Sequence, residues 1–291
     1  MSVIFIDTNC EINYKTAEEL GLKNIIQMPY TICDKEYLYD LGKNYDAKEF
    51  FGLVRAGNMP ITSGLNSETY RDYFEPYFKA AEDILYISFS SELSNTFTYL
   101  DIAIAELKEK YPEAKFTRFD TKGISLAAGI PVYVAAKMHN EGKTNQEIVT
   151  FLSDFIYRVN AVFSPNSLFY LKKGGRISTA KAALGTMLQL KPIIRLNNDG
   201  KLVNTQQVQG RNKSINFIIN DVLNNVTDID KYPIIILNAD CAEDSDKIEK
   251  KLRESLPVAD IWIYDVGPVR GTHCGPDTIA CVYVGKNRLA E

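Results

Sequence analysis

The sequence is short of the residues that most often announce chemistry. Only two histidines, His139 and His273, occur in 291 residues, too few for a metal centre built on imidazole. The five cysteines, Cys10, Cys33, Cys241, Cys274 and Cys281, are odd in number and form no CxxC pair. Neither a zinc site nor a disulfide framework is indicated, so free thiols in a reducing compartment are expected. No apolar run reaches the roughly 18 residues a membrane span needs. The opening MSVIFIDTNC has no basic region leading into a secretory core, which predicts a cytoplasmic protein. A phosphate-cradling G-x-x-x-x-G-K-[ST] loop and a GxSxG nucleophile elbow are both missing. Charge of one sign does not dominate: 33 Lys and Arg against 37 Asp and Glu leave a net charge of -4, which argues against nucleic acid as a partner. Repeats and low-complexity tracts are absent.

What is present is an ordinary globular composition, 45% hydrophobic and 24% charged, long enough for about two domains. The chain is organised around residues 84–107, ILYISFSSELSNTFTYLDIAIAEL. A short apolar run, 84–87, reads as a buried strand. Five hydroxyls follow, Ser88, Ser90, Ser91, Ser94 and Thr96. Then Leu93, Phe97, Leu100, Ile104 and Leu107 recur at helical spacing. Strand, hydroxyl-rich turn, helix: such a turn offers backbone N–H groups, the positive end of a helix dipole and neutral side-chain donors, all suited to a small anion. Serine is also a preferred helix cap, which accounts for one or two of the five without any ligand. A second hydroxyl-rich loop, 61–67, carries Thr62, Ser63, Asn66 and Ser67. Ser67 reads as the cap of the helix that follows, whereas Thr62 and Ser63 lie too early to cap it.

Strands and helices alternate over residues 1–157. This predicts an α/β fold with a mostly parallel, Rossmann-like sheet and helices on both faces. Ligands of such sheets sit beyond the carboxyl ends of the strands. Three polar strand ends, Asp7-Thr8, 88–94 and Asp120-Thr121, would meet there. From residue 158 the pattern changes. Residues 171–178, LKKGGRIS, put three cations around a glycine pair, and 180–188 reads as a helix. Asn197-Asn198-Asp199-Gly200 joins two strand-like runs as a hairpin. A second α/β domain with a mixed sheet, residues 158–291, is expected beside a first of 1–157.

Six phrases occur in the order and spacing of one family: Asp7-Thr8, Thr62-Ser63, Ser90-Ser91-Glu92-Leu93-Ser94-Asn95-Thr96-Phe97, Lys173-Gly174-Gly175-Arg176-Ile177, Lys191-Pro192-Ile193, and VGPVRGTHCGP at 266–276. Over essentially its whole length the chain resembles DegV proteins. The resemblance implies a two-domain α/β protein that binds one long-chain fatty acid, such as palmitate, stearate or oleate, and is no enzyme itself. It implies a bacterial acyl carrier for phospholipid synthesis, whose partner, a fatty acid kinase, converts the bound carboxyl group to an acyl phosphate. No catalytic residue, metal or cofactor is implied. Thr62 and Ser94 fall on the hydroxyls that hold the carboxylate, with Ser63, Ser91 and Asn95 beside them. Arg176 and His273 fall on the residues that face the acyl phosphate and the kinase. Gly64-Leu65-Asn66 stands where the family usually reads Gln-Pro-Ser, Asn95 where it has glycine, and Asp277 where Gly-Pro-Gly would end.

The chemistry is reasonable on its own terms. A buried carboxylate needs hydrogen bonds, which two hydroxyls and a helix start supply. The tail dominates affinity: at about 0.8 kcal/mol per methylene, roughly fifteen contribute on the order of 12 kcal/mol before ordering costs. Ile130, Phe163, Phe169, Leu184, Met187, Leu188 and Ile279 are candidates to line a tunnel, against ordinary core packing. Two other functions compete. One is a serine-dependent acyl hydrolase or transferase, with Ser91 or Ser94 as nucleophile and His273 as base. The other is a binder of small phosphate compounds.

Overall fold

The computed structural model describes residues 2–177 and 190–288. The helix expected at 180–188, with Leu184, Met187 and Leu188, lies outside the described residues. The chain divides into two compact units, one of Met1–Asn44 with Thr62–Ile156 and one of Tyr45–Ile61 with Tyr157–Glu291.

The first unit is built on a four-stranded parallel sheet in the order β2-β1-β6-β7. These strands are β1 (Ser2–Asp7), β2 (Asn24–Ile26), β6 (Asp83–Ser88) and β7 (Lys115–Asp120). β1 and β6 are nearly continuous apolar runs, as befits strands covered on both faces, and Ile4, Phe5, Ile6 and all of Ile84–Ile87 are buried. Its helices are α1 (Tyr14–Glu19), α3 (Ser67–Lys79), α4 (Thr96–Lys110), α5 (Leu126–Asn140) and α6 (Asn145–Phe155). α4 buries Phe97, Leu100, Ala103, Ile104 and Leu107, whereas Leu93 of the stripe read from the sequence is buried in the short turn before it. α3 sets Phe74 against Phe5 at 4.6 Å, Phe116 at 5.1 Å and Tyr86 at 5.8 Å between ring centres. Burial of one such ring is worth about 1.5–3 kcal/mol.

β2 ends at Ile26, and β3 (Pro29–Ile32) pairs antiparallel with β4 (Lys35–Leu38). One local expectation changes. The α3 cap is Asn66 rather than Ser67, its Oδ1 accepting from the Thr69 N–H at 2.8 Å. Both residue types cap well, so the choice fell to the entry path of the chain.

The second unit has a six-stranded mixed sheet, β10-β9-β8-β13-β11-β12, in which only β11 and β12 run parallel among the described residues. Its strands are β8 (Val159–Ser164), β9 (Leu190–Leu196), β10 (Leu202–Gln209), β11 (Ile234–Asn238), β12 (Ile261–Asp265) and β13 (Ile279–Val284). The expected hairpin at 197–200 joins β9 and β10. α7 (Phe169–Lys173), α8 (Arg211–Asn225), α9 (Ala242–Ser255) and α10 (Pro268–Cys274) complete it.

A further helix, α2 (Ala47–Arg55), belongs to this second unit although the chain supplies it early. The expected first domain of 1–157 had included it. Its apolar face settles the matter: Phe50 and Phe51 pack on Gly271 so closely that a Cβ there would stand 2.8 Å from one ring and 2.9 Å from the other. The Tyr45 hydroxyl donates to the Val266 carbonyl at 3.0 Å, and Arg55 pairs with Asp240 and Asp277. Amphipathic spacing shows that a helix has an apolar face, not which core receives it.

Candidate functional site

The polar ends of β1, β6 and β7 lie together, because neighbouring parallel strands bring their carboxyl ends to one edge. Asp7, buried, accepts from the Asn9 N–H and from the Tyr86 hydroxyl, both at 2.9 Å. Burial and the Asp7 charge push the Tyr86 pKa well up, so this phenol stays a donor. Thr121 donates from N–H and hydroxyl to the Ser88 carbonyl, at 3.0 and 2.9 Å. Glu11, also buried, accepts from the Ser125 hydroxyl, and both residues have left-handed backbone, φ 52° and 55°. Strain of this kind at non-glycine residues gathers where a fold holds its functional end.

The hydroxyls read from the sequence have distinct occupations. Ser90 caps the short turn after β6, its Oγ accepting from the Glu92 N–H at 3.3 Å. Ser91 is engaged by the neighbouring strand. Its Oγ donates to Asp120 Oδ2 at 2.6 Å and its N–H to the same oxygen at 3.2 Å. A proton given to Asp120 is not offered to a ligand carboxylate, and Asp120 would repel one. Ser94 is half-buried, and its Oγ accepts from the Thr96 N–H at 3.2 Å, which fixes the oxygen at the start of α4 and leaves its own proton to donate. Asn95, exposed, precedes α4 without a side-chain capping bond. Its φ of -84° is ordinary, so the turn does not require glycine there. Thr62 ends β5 (Ile61–Thr62) half-buried, and Ser63 is exposed.

Reading the sequence missed the link between the two hydroxyl loops. Thr96 Oγ1 accepts from the Leu65 N–H at 3.0 Å and shares a hydrogen bond with the Tyr70 hydroxyl at 2.9 Å. Thus Leu65, three residues after Thr62, is fastened to Thr96, two residues after Ser94. Gly64 comes close as well: a Cβ there would stand 3.2 Å from Thr96 Cβ. A buried tyrosine three residues into the helix after the loop was the only available signal.

The second unit holds Arg176 and His273. α7 packs against α10, and the turn after α7 passes so near His273 that a Cβ on Gly174 would collide with Nδ1. Arg176 is half-buried and donates to the Gly174 carbonyl. Gly275 is fixed by two demands, φ +77° and a Tyr170 ring that leaves no room for a Cβ. His273 has its pKa pushed down to about 3, by burial first and then by the Arg270 and Arg176 charges. It is a neutral imidazole at physiological pH and a weak proton acceptor. Burial also lowers the Arg176 pKa. Asp277 has φ +60°, a conformation natural to the glycine the family has there, and Arg55 holds its carboxylate at 2.6 Å.

The described tunnel candidates of the second unit do not form one group. Ile279 belongs to the core that α8 and α9 cover, whereas Phe163 packs with Leu171, Ile177 and Ile194. Ile279 pairs with Ser164 and Phe163 with Ala280, so alternation sends Ile279 and Phe163 to opposite faces of the sheet. Phe169 is 54% exposed, with Lys173 Nζ 5.9 Å above its ring. Ile130 is buried in α5. No group of three metal-ligating side chains occurs, and no helix is long and apolar enough to cross a membrane, among the described residues.

These features define a two-unit α/β protein with a hydroxyl-lined strand edge in one unit and an arginine–histidine cluster in the other. Residues 1–286 match the family model DegV, described as "Uncharacterised protein, DegV family", and the chain belongs to that family. A DegV domain-containing protein of Clostridium perfringens is 35% identical over 286 residues, covering 98% of each chain. Among solved structures, DegV of Bacillus subtilis, called a fatty acid binding protein, shares the fold at TM-score 0.81 and 24% identity, covering 98% of this chain and 99% of that one. A stearic acid-binding protein of Eubacterium ventriosum does so at TM-score 0.84 and 20% identity, covering 98% and 99%.

Proposed function

We propose that this protein is a non-catalytic cytoplasmic carrier of one long-chain fatty acid. Thr62 and Ser94 hold the carboxylate and the tail is buried. The head is presented to a fatty acid kinase, which forms the acyl phosphate facing Arg176 and His273. The observation that carries the reading is Ser94: its oxygen is anchored by the Thr96 N–H at 3.2 Å at the mouth of a 15-residue helix, so its proton is free to be donated to an anion there. The bond from Thr96 to Leu65 supports Thr62 as its companion. Relatives that share the fold and are named for the fatty acids they bind support the ligand class.

A serine hydrolase fits less well. Ser91 gives its proton to Asp120, and an imidazole with a pKa near 3 is a poor general base. Native mass spectrometry of the purified protein tests the reading. A copurified C14–C18 acid, lost or weakened in Ser94→Ala, is the expected result. An empty protein that takes up neither palmitate nor oleate refutes it.

A further inference from the structure

Arg118 carries a charge to which the carrier reading gives no task. It stands on β7 in register with Tyr86 of β6, so the two side chains share one face of the parallel sheet. Phe116, two residues before it, sets its ring 5.1 Å from Phe74 and 6.0 Å from Phe78, both on α3, which marks this as a helix-covered face. The Arg118 guanidinium lies over the Phe97 ring, 4.4 Å from its centre. Phe97 is buried in the first turn of α4, three residues after Ser94. Arg118 Nη1 is itself buried and has no hydrogen-bond partner, and no ion pair holds this side chain among the described residues. The carboxylate on the same strand and the same face, Asp120, accepts instead from the Ser91 hydroxyl at 2.6 Å and from the Lys122 N–H at 2.7 Å.

Burying a charge without a counter-charge is costly, and the face of one aromatic ring offsets only part of that cost. An anion at the start of α4 offsets more of it. The Ser94 hydroxyl and the N–H groups of the first turn also serve an uncharged oxygen. A full positive charge behind them favours an anion alone. It acts through ring and helix rather than through water, where the effective dielectric is low and the attraction correspondingly strong. Stacking on Phe97 fixes where that charge sits.

We propose that Arg118 is the residue by which this site selects a carboxylate over an uncharged head group. It touches no ligand atom; its field behind the first turn of α4 holds the ionised acid at Ser94. The inference rests on the carrier reading above, with Ser94 as the carboxylate donor. Arg118 is thus a positioning residue, and no bond is made or broken on it.

The test compares two ligands of matched tail, palmitate and hexadecan-1-ol, on the full-length protein, and reads the ratio of their dissociation constants. Wild-type protein is expected to favour palmitate. Arg118→Met keeps the bulk over Phe97 and removes the charge. It should reduce that preference on the order of tenfold, the scale of one unit charge felt across a helical turn at an effective dielectric of about 20. Its affinity for hexadecan-1-ol should be unchanged. Arg118→Lys, which keeps the charge, should retain most of the preference. If Arg118→Met fails to fold by circular dichroism, Arg118→Gln is read in its place with the same expectation. An unchanged ratio in the variant without the charge overturns the role of Arg118 and leaves the carrier reading standing. So does an equal loss for both ligands, the signature of a brace that only supports α4. Wild-type protein that binds neither ligand refutes the carrier reading itself.

Discussion

The strand edge of the first unit and the α7–α10 corner of the second offer donors of opposite kinds. At the strand edge the donors are neutral: Ser94, Thr62 and a helix start, braced by Thr96 and Tyr70. The carboxylates there, Asp7, Glu11 and Asp120, are occupied by a tyrosine, a serine and the Ser91 hydroxyl. At the corner the donors are cations, Gly174 fits closely against His273 and Gly275 against Tyr170. Hydrogen bonds from charged donors are the stronger ones. One chain thus sets neutral donors at one place and cationic ones at another.

This contrast can be broken by substitution. The largest effect is expected from Gly174→Ala, whose Cβ must displace His273; on the order of 3 kcal/mol of stability should be lost in a denaturant melt. The equivalent change at the looser edge, Gly64→Ala, meets Thr96 at only 3.2 Å and should cost under about 1 kcal/mol. Equal costs would mean that the corner is no tighter than the edge. Next is Thr96→Val, which keeps shape but leaves Tyr70 and the Leu65 N–H without their partner. It should cost about 1–3 kcal/mol in the same melt and weaken palmitate binding. Ser94→Ala should raise the palmitate dissociation constant about tenfold, by isothermal titration, with little change in melting temperature.

The pH response sharpens the comparison further. The folded-state pKa of His273, about 3, lies below the ordinary 6.5. Between those values the unfolded chain takes a proton that the folded one refuses, so stability falls as pH drops through 6.5 and is unaffected above it. His273→Gln should remove that part of the acid sensitivity, seen as a smaller drop in denaturant midpoint from pH 7.5 to pH 5. The smallest effect belongs to Asn95→Gly, within about 0.5 kcal/mol, because φ is already -84°.

Much of the fold was legible because it rests on local pattern. The apolar stripe of α4 and the 197–200 hairpin both obey rules of a few residues' range. The β3–β4 hairpin escaped because its turn residues, Cys33 and Asp34, adopt φ 51° and 58° without the glycine or asparagine that usually signals such a turn. Ser91 and Ser94 look alike in sequence, and only the nearness of Asp120 on the neighbouring strand separates their roles. Phe163 and Ile279 could not be sorted to opposite faces until the register of β8 and β13 was known.

The membership of α2 has a consequence for how the molecule is made. The backbone passes from one unit to the other at Asn44–Tyr45, at Ile61–Thr62 and again at Ile156–Tyr157. A nascent chain therefore releases Phe50, Phe51 and Val54 long before the ribosome has produced Gly271, the surface that shelters the two rings. Until synthesis is nearly complete, that greasy helix has nowhere to dock and is bait for chaperones. For the same reason a gene cut after codon 157 yields two orphans, one trailing a bare helix and the other missing it, rather than two self-sufficient halves.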